Sequence, residues 1–324
     1  MKINLDLLKK ILLIDRSSKN EYPILNFIWN YLHGVPNLTF ELDHYGNLFI
    51  TKNTTNPTYY PCIIAHTDCI ITWKGDRTIV NHNGVLMGQH VNDYSRCGIT
   101  ADDSCGIYAA LEILNKVSNL KICLTTEEEI GGVGAQQAAY NVDFFADVAY
   151  FLQADRRGKS DLITNTNCLD VCSKEFLKKI NKSMKKFGYS ENYGTFTDVG
   201  VLVEQFKISG VNISCGYKQE HTFNEHLVLS DLENCINFML DIINNVPLDK
   251  QYDVKIDYYG SYYGRYYNYG NDFQNNYNTT INLNPSESKN LEKNELTPDN
   301  YIYEIPCDMC STFDCMNCDK IRYF

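Results

Sequence analysis

Apolar residues recur at helical spacing over Leu5 to Leu13 and again over Ile24 to Leu32, so the pattern predicts two amphipathic helices at the start of the chain. In LTFELDHYGNLFITKN the pattern shortens to two apolar stretches around a Tyr-Gly-Asn turn, which predicts a hairpin. Three compact apolar runs follow, PCIIAHTD, KICLTTEEE and VAYFLQAD, each ending abruptly in polar residues. A short strand with no polar face is buried on both sides, and it delivers its last residues to the edge of a sheet. Between the first two runs, directly after ADDSCG, Ile107, Ala110, Leu111 and Leu114 keep the spacing of one helix face. Further helices are predicted from Lys174 to Phe187 and from about Leu229 to Asn245, with a strand at VNISCGY between them. Apolar strands alternating with amphipathic helices imply an α/β sandwich around a mixed, mainly parallel central sheet.

Composition changes this picture mainly at the carboxyl end. The 324 residues are 44% hydrophobic, enough to build a sizeable core. Near Pro247 the composition shifts abruptly, dividing the chain into a core of residues 1–246 and a tail of residues 247–324. From Tyr252 to Asn284, Tyr, Asn and Gly dominate without periodicity. Disorder or self-association is the default expectation for such a segment, with packing of some tyrosines onto the core as the alternative. The last stretch holds two Cys-x-x-Cys units, Cys307, Cys310, Cys315 and Cys318, only four residues apart. That separation is short for a zinc ribbon, so a metal knuckle and a reduced flexible tail are equal readings.

A net charge of −11 excludes an extended phosphate-binding surface, so no nucleic-acid partner is expected. Lysines and aspartates break the first apolar run before it reaches a bilayer's thickness, so no membrane partner is expected either. Thirteen cysteines, an odd number, nine of them scattered through predicted core elements, point to reduced thiols and a cytoplasmic protein.

Candidate chemistry sits where the apolar strands end and helices begin: His66 and Asp68 in AHTD, Asp102 and Asp103 in ADDSCG, Glu127 to Glu129 in TTEEEIGG, and Asp155 in LQAD. His221 lies in KQEHTFNE. Strand ends in one sheet converge, and several buried carboxylates together are costly unless a cation offsets them.

The ordered series H-T-D, A-D-D-x-x-G, E-E-I-G-G-x-G-A, strand-end Asp and H-T-x-N-E resembles the dinuclear-zinc exopeptidases that include peptidase T, the glutamate carboxypeptidases and the tetrahedral aminopeptidases. The resemblance implies a three-layer zinc-peptidase-like phosphorylase/hydrolase-type fold and two zinc ions, with cobalt or manganese as substitutes. It implies that His66 and Asp155 bind one ion, that Glu129 and His221 bind the other, and that Asp102 bridges both. Glu128 is then the general base and Asp68 the residue that orients His66. Asp103 falls to a supporting role.

The expected activity is an aminopeptidase acting on short peptides. A carboxypeptidase, an N-acyl amino-acid deacylase, and a non-catalytic metal-binding protein that presents its tail to a partner are the alternatives; oligomeric state stays open. Only 66 positions separate Asp155 from His221 and 36 separate His66 from Asp102, so neither interval has room for the lid or dimerisation insertion of those relatives. The second holds little more than a hairpin such as RTIVNHNGVLMGQ. Thr197 and Asp198 in GTFTDVGVL resemble a Thr-Asp segment near the substrate site, with a loop-capping aspartate as the alternative. Arg156 and Arg157 are either a surface pair or a clamp for a peptide carboxylate.

Overall fold

The three apolar runs become three adjacent parallel strands in the middle of a large sheet. The computed structural model describes residues 2–71, 73–167 and 169–256 and the backbone of 281–283. The first elements are helices α1 (Leu5–Leu13) and α2 (Tyr22–Leu32), then strands β1 (Leu38–Leu42), β2 (Leu48–Asn53), β3 (Tyr60–His66), β4 (Arg77–His82), β5 (Val85–His90) and β6 (Arg96–Cys97). Next come α3 (Ala101–Leu114), β7 (Asn119–Thr125), α4 (Val133–Ala138), α5 (Val142–Phe145), β8 (Val148–Arg156), β9 (Asp161–Thr166) and β10 (Leu169–Asp170). They are followed by α6 (Lys174–Phe187), β11 (Ser190–Gly194), α7 (Asp198–Phe206), β12 (Gly210–Ser214), β13 (Tyr217–Lys218), β14 (His226–Val228), α8 (Leu229–Asn245) and β15 (Ile281–Leu283).

The large sheet has ten strands in the order β10-β9-β12-β8-β3-β7-β2-β1-β15, with β11 beside β9. Its centre, β7-β3-β8-β12, is parallel, and the strands flanking it, β2 and β9, run antiparallel to it. Side chains alternate across a strand, so each central strand feeds two apolar layers. Ile63 and Ala65 of β3 join a core with Leu7, Ile28, Ile107, Ile180 and Met239 of α1, α2, α3, α6 and α8. Cys62 and Ile64 face the other way, into a core with Ala138, Phe145 and Val203 of α4, α5 and α7. Helices on both faces make the expected three-layer sandwich, and each large aliphatic side chain so buried contributes about 1.5–3 kcal/mol.

Local signals set the helix limits. The Ser173 hydroxyl caps α6 by accepting from the Phe176 N–H, and Gly188, at φ 75°, ends it. The interval between His66 and Asp102 holds the expected hairpin, β4 and β5, joined through Asn83 and Gly84, both at positive φ, as a two-residue turn between twisted strands requires. Its strand β5 pairs with β14, in a five-stranded sheet ordered β13-β14-β5-β4 with β6 beside β5.

Past α8 the chain stays on the core across the composition change at 246/247. Tyr252 is fully buried against Phe176 and Tyr150, and its backbone bonds Ala149 and Ser209. The backbone of β15 pairs with β1. The rest of the Tyr/Asn-rich segment and the Cys307 to Cys318 cluster lie outside the described residues. Among the described residues no helix is long and apolar enough to cross a membrane. The eight cysteines with described side chains form no disulfide.

Candidate metal centre and active site

Because β7, β3 and β8 are parallel neighbours, their carboxyl ends reach the same edge of the sheet. His66 closes β3, Glu128 and Glu129 follow β7, and Asp155 is the second-last residue of β8. The start of α3 brings Asp102 over that edge, through a peptide to Asp103 that is cis, and the loop between β13 and β14 brings His221. All five expected ligands meet there. His66 Nε2 lies 2.9 Å from Asp102 Oδ1 and 3.7 Å from Asp155 Oδ1. His221 Nε2 lies 2.8 Å from Glu129 Oε1 and 3.4 Å from Asp102 Oδ2. The two oxygens of Asp102 therefore face two different histidine–carboxylate groups.

Asp68 ties the arrangement together from beneath. Its Oδ1 lies 3.3 Å from His66 Nδ1 and accepts the Glu128 N–H at 3.0 Å, while Oδ2 accepts the Glu129 N–H at 3.2 Å and the Ser18 hydroxyl at 2.6 Å. Asp103 is also close to His66 and Asp155. Both its oxygens are already occupied, however, by the N–H groups of Gly106 at 2.9 Å and His66 at 3.2 Å, so it anchors backbone. The glycine of A-D-D-x-x-G has the same cause, since a Cβ at Gly106 would collide with the Asp103 carboxylate. Glu127 turns away, accepting from the Tyr45 hydroxyl at 3.0 Å.

Several supporting residues were not singled out from the sequence. Glu225, almost fully buried, accepts four consecutive backbone N–H groups: Ile99 and Thr100 on Oε2, Ala101 and Asp102 on Oε1, at 2.7–3.2 Å. It thereby fixes the segment that carries Asp102, including Thr100 at φ 55°. The signal was present, because Glu225 is the last letter of H-T-x-N-E. The loop after α1 supplies three more. Arg16, fully buried, bonds Ser104 at 2.8 Å, Ser18 bonds Asp68, and Glu21 accepts the Glu127 N–H at 3.2 Å. Around Asp155, Tyr217 and Gln153 each donate to a carboxylate oxygen at 3.1 Å. Asp198 lies in the same buried region, with one oxygen accepting from the Thr125 hydroxyl and Oδ1 without a hydrogen-bond partner among the described residues. Thr197 donates to Gln153 Oε1 at 2.7 Å.

The cluster is short of positive charge. Burial pushes the Glu128 carboxyl up to about 9 against the pull of His66, with the charges of Asp198, Asp155 and Asp102 adding to the rise. Burial, then repulsion from Asp102, takes Asp155 to about 7, and burial takes Asp198 to about 6. Hydrogen bonds to Asp102 and Glu129 raise His221 to about 10. Although burial opposes it, contacts with Asp102, Asp155 and Asp68 hold His66 well above its ordinary value. His66 and His221, which hold Asp102 low against its burial, and the raised carboxyls of Glu128 and Asp155 beside them make a site where a cation would take the place of protons. Imidazole nitrogens mixed with carboxylate oxygens suit zinc and its first-row neighbours, and the orphaned Asp198 oxygen adds to the negative field. The residues present fit a metal.

A cavity of about 200 Å³ opens over the cluster, with Glu128, Asp102 and Asp155 among its lining residues. Arg156 and Arg157 also line it, but each faces an acid: Arg157 Nη1 is 2.7 Å from Glu220 and Arg156 Nε is 3.6 Å from Asp161.

The fold is one shared with aminopeptidases of known structure. Aminopeptidase PepT from Bacillus cereus superposes with a TM-score of 0.61 at 13% identity, covering 75% of this chain and 97% of that one. A TET aminopeptidase from a marine sediment archaeon of the Thaumarchaeota gives 0.60 at 14% identity over 76% and 98% of the two chains. A tripeptidase from Staphylococcus aureus gives 0.58 at 15% over 74% and 96%. No protein-family model matches the chain, and no curated protein matches its sequence.

Proposed function

We propose that the protein is a metal-dependent aminopeptidase that removes the first residue of short peptides. The observation that carries this reading is the division of Asp102, whose two oxygens face His66 with Asp155 and His221 with Glu129, beside a buried Glu128. His66 and Asp155 would hold one ion, Glu129 and His221 the second, and Asp102 both, with zinc the expected metal and cobalt or manganese able to replace it. Two such ions, when bound, polarise the scissile carbonyl and make water a nucleophile at neutral pH.

The chain's own residues do the rest. Glu128 takes the proton from the attacking water and returns it to the leaving amine. Asp68 accepts from His66 Nδ1 through its backbone carbonyl at 3.1 Å, with its carboxylate Oδ1 at 3.3 Å, which leaves Nε2 free to act as ligand and fixes the ring's direction. Asp68 also holds the Glu128 and Glu129 backbone, so the base and one ligand keep their separation from His66. The cleft favours an amino terminus over a carboxylate. Its acids, Asp102, Glu128, Glu129 and Asp155, attract an ammonium group, and Arg157 is already paired with Glu220.

A metal-defined preparation assayed against amino-acid amides, amino-blocked peptides and N-acyl amino acids tests the reading. Hydrolysis of the amides and not of the blocked substrates is the expected result. Cleavage of N-acyl amino acids alone would transfer the site to a deacylase or carboxypeptidase. Failure to take up any zinc-class metal would leave a non-catalytic protein.

A further inference from the structure

Of the contacts that converge on the Asp68 carboxylate, the shortest comes from Ser18, 50 positions upstream, whose hydroxyl donates to Oδ2 at 2.6 Å. The others are His66 Nδ1 and the Glu128 N–H on Oδ1 and the Glu129 N–H on Oδ2, at 3.0–3.3 Å. Ser18 lies in a turn closed by the Asn20 N–H, which donates to the Ser17 carbonyl at 2.8 Å. That turn is tied down on both sides. Before it, the Arg16 carbonyl accepts the N–H of Cys69, the neighbour of Asp68, at 3.0 Å, and the buried Arg16 side chain bonds Ser104 of α3. After it, one oxygen of Glu21 accepts the Lys19 N–H at 3.0 Å and the Glu127 N–H at 3.2 Å, and so holds two residues at positive φ, Lys19 at 71° and Glu127 at 50°. Ser18 is thereby fixed against Asp68 and against the turn that carries Glu128.

His66 and Glu128 depend on Asp68 in different ways. The imidazole Nδ1 also meets the Asp68 backbone carbonyl at 3.1 Å, so its direction survives a rotation of the carboxylate. The Glu128 N–H donates to the carboxylate itself. Glu129 shares that dependence, but a ligand is held by its ion as well, whereas a general base has only its own backbone to place it. We infer that Ser18 is a positioning residue for the reaction, which sets the rotation of the Asp68 carboxylate and through it the place of Glu128. The inference rests on the aminopeptidase reading, in which Glu128 is the base.

Ser18→Ala and Ser18→Thr in the full-length, zinc-loaded protein test this, with leucinamide kinetics, bound zinc and thermal unfolding measured on each. Ser18→Ala is expected to lower kcat by about 10-fold, the lower end for losing a partner that orients a site residue, with KM and zinc content unchanged. Ser18→Thr keeps the hydroxyl and should restore the native kcat. A loop that served only the fold would lower activity no further than it lowers the folded fraction or the zinc content. Loss of zinc in step with activity would overturn the inference, because Ser18 would then serve a ligand and not the base. A native kcat in Ser18→Ala, or an equal loss in Ser18→Thr, would overturn it by making the hydroxyl immaterial. In all these outcomes the native enzyme still cleaves leucinamide and the peptidase reading stands. If the native protein hydrolyses no amide, that reading falls first and takes this inference with it.

Discussion

His66 and His221 both face Asp102, the first with 1% of its side chain exposed and the second with 38%. The His66 half is built by the sheet. Strand register places its donors, and Asp155 is held by Tyr217 and Gln153. The His221 half is built by a loop between two short strands, with His221 itself at φ 59° and its position secured a few residues on by Glu225. One half is thus a by-product of forming the core, and the other depends on a few polar bonds. Rigid, buried geometry and loop-borne, adjustable geometry share one carboxylate.

Five substitutions would break or sharpen this contrast. Glu128→Gln should lower turnover by about 10²–10⁴-fold, the worth of a general base, with metal content unchanged in both halves. Loss of a metal in that variant would mean that Glu128, and not Glu129, is the ligand. Glu225→Ala should be the most destabilising, because it leaves four buried N–H groups without their acceptor, at about 1–3 kcal/mol for each donor left unsatisfied. Thermal unfolding would show it, and an unchanged Tm would mean that the Asp102 segment holds its shape alone. Asp68→Asn should weaken metal affinity by about 10–100-fold through the orientation of His66, which titration against a competing chelator would measure. The smallest effect is expected for His221→Ala in the metal-free protein, because that side chain is 38% exposed, whereas His66→Ala, at 1% exposed, should cost clearly more. Equal losses of stability would remove the distinction between the two halves.

The sheet-built half was also the legible one. PCIIAHTD, KICLTTEEE and VAYFLQAD announce themselves because strands buried on both faces leave unbroken apolar runs, and their polar ends mark the edge where ligands gather. Helices α1, α6 and α8 were readable from spacing for the same reason. The helix α7 was not, since DVGVLVEQF is rich in β-branched residues and its helical state is imposed by packing. Strands β6, β13 and β14 are two or three residues long and show no period. Tyr252 was lost in a Tyr/Asn-rich background, although its ring is wholly buried. Glu225 could be read as a letter of a motif but not as a clamp, because its partners are backbone N–H groups that leave no trace in side-chain pattern.

The Glu225 clamp also has a temporal side. Its four partners lie 123–126 positions upstream, so a chain emerging from its amino end has β3, β7 and β8 complete long before the residue that fixes Asp102 has been synthesised. Contacts of such long range are the late and slow ones in folding. The Asp102 segment is therefore fixed late, by the same short stretch that delivers His221, and a nascent chain carries β3, β7 and β8 well before it can hold the proposed ligands together.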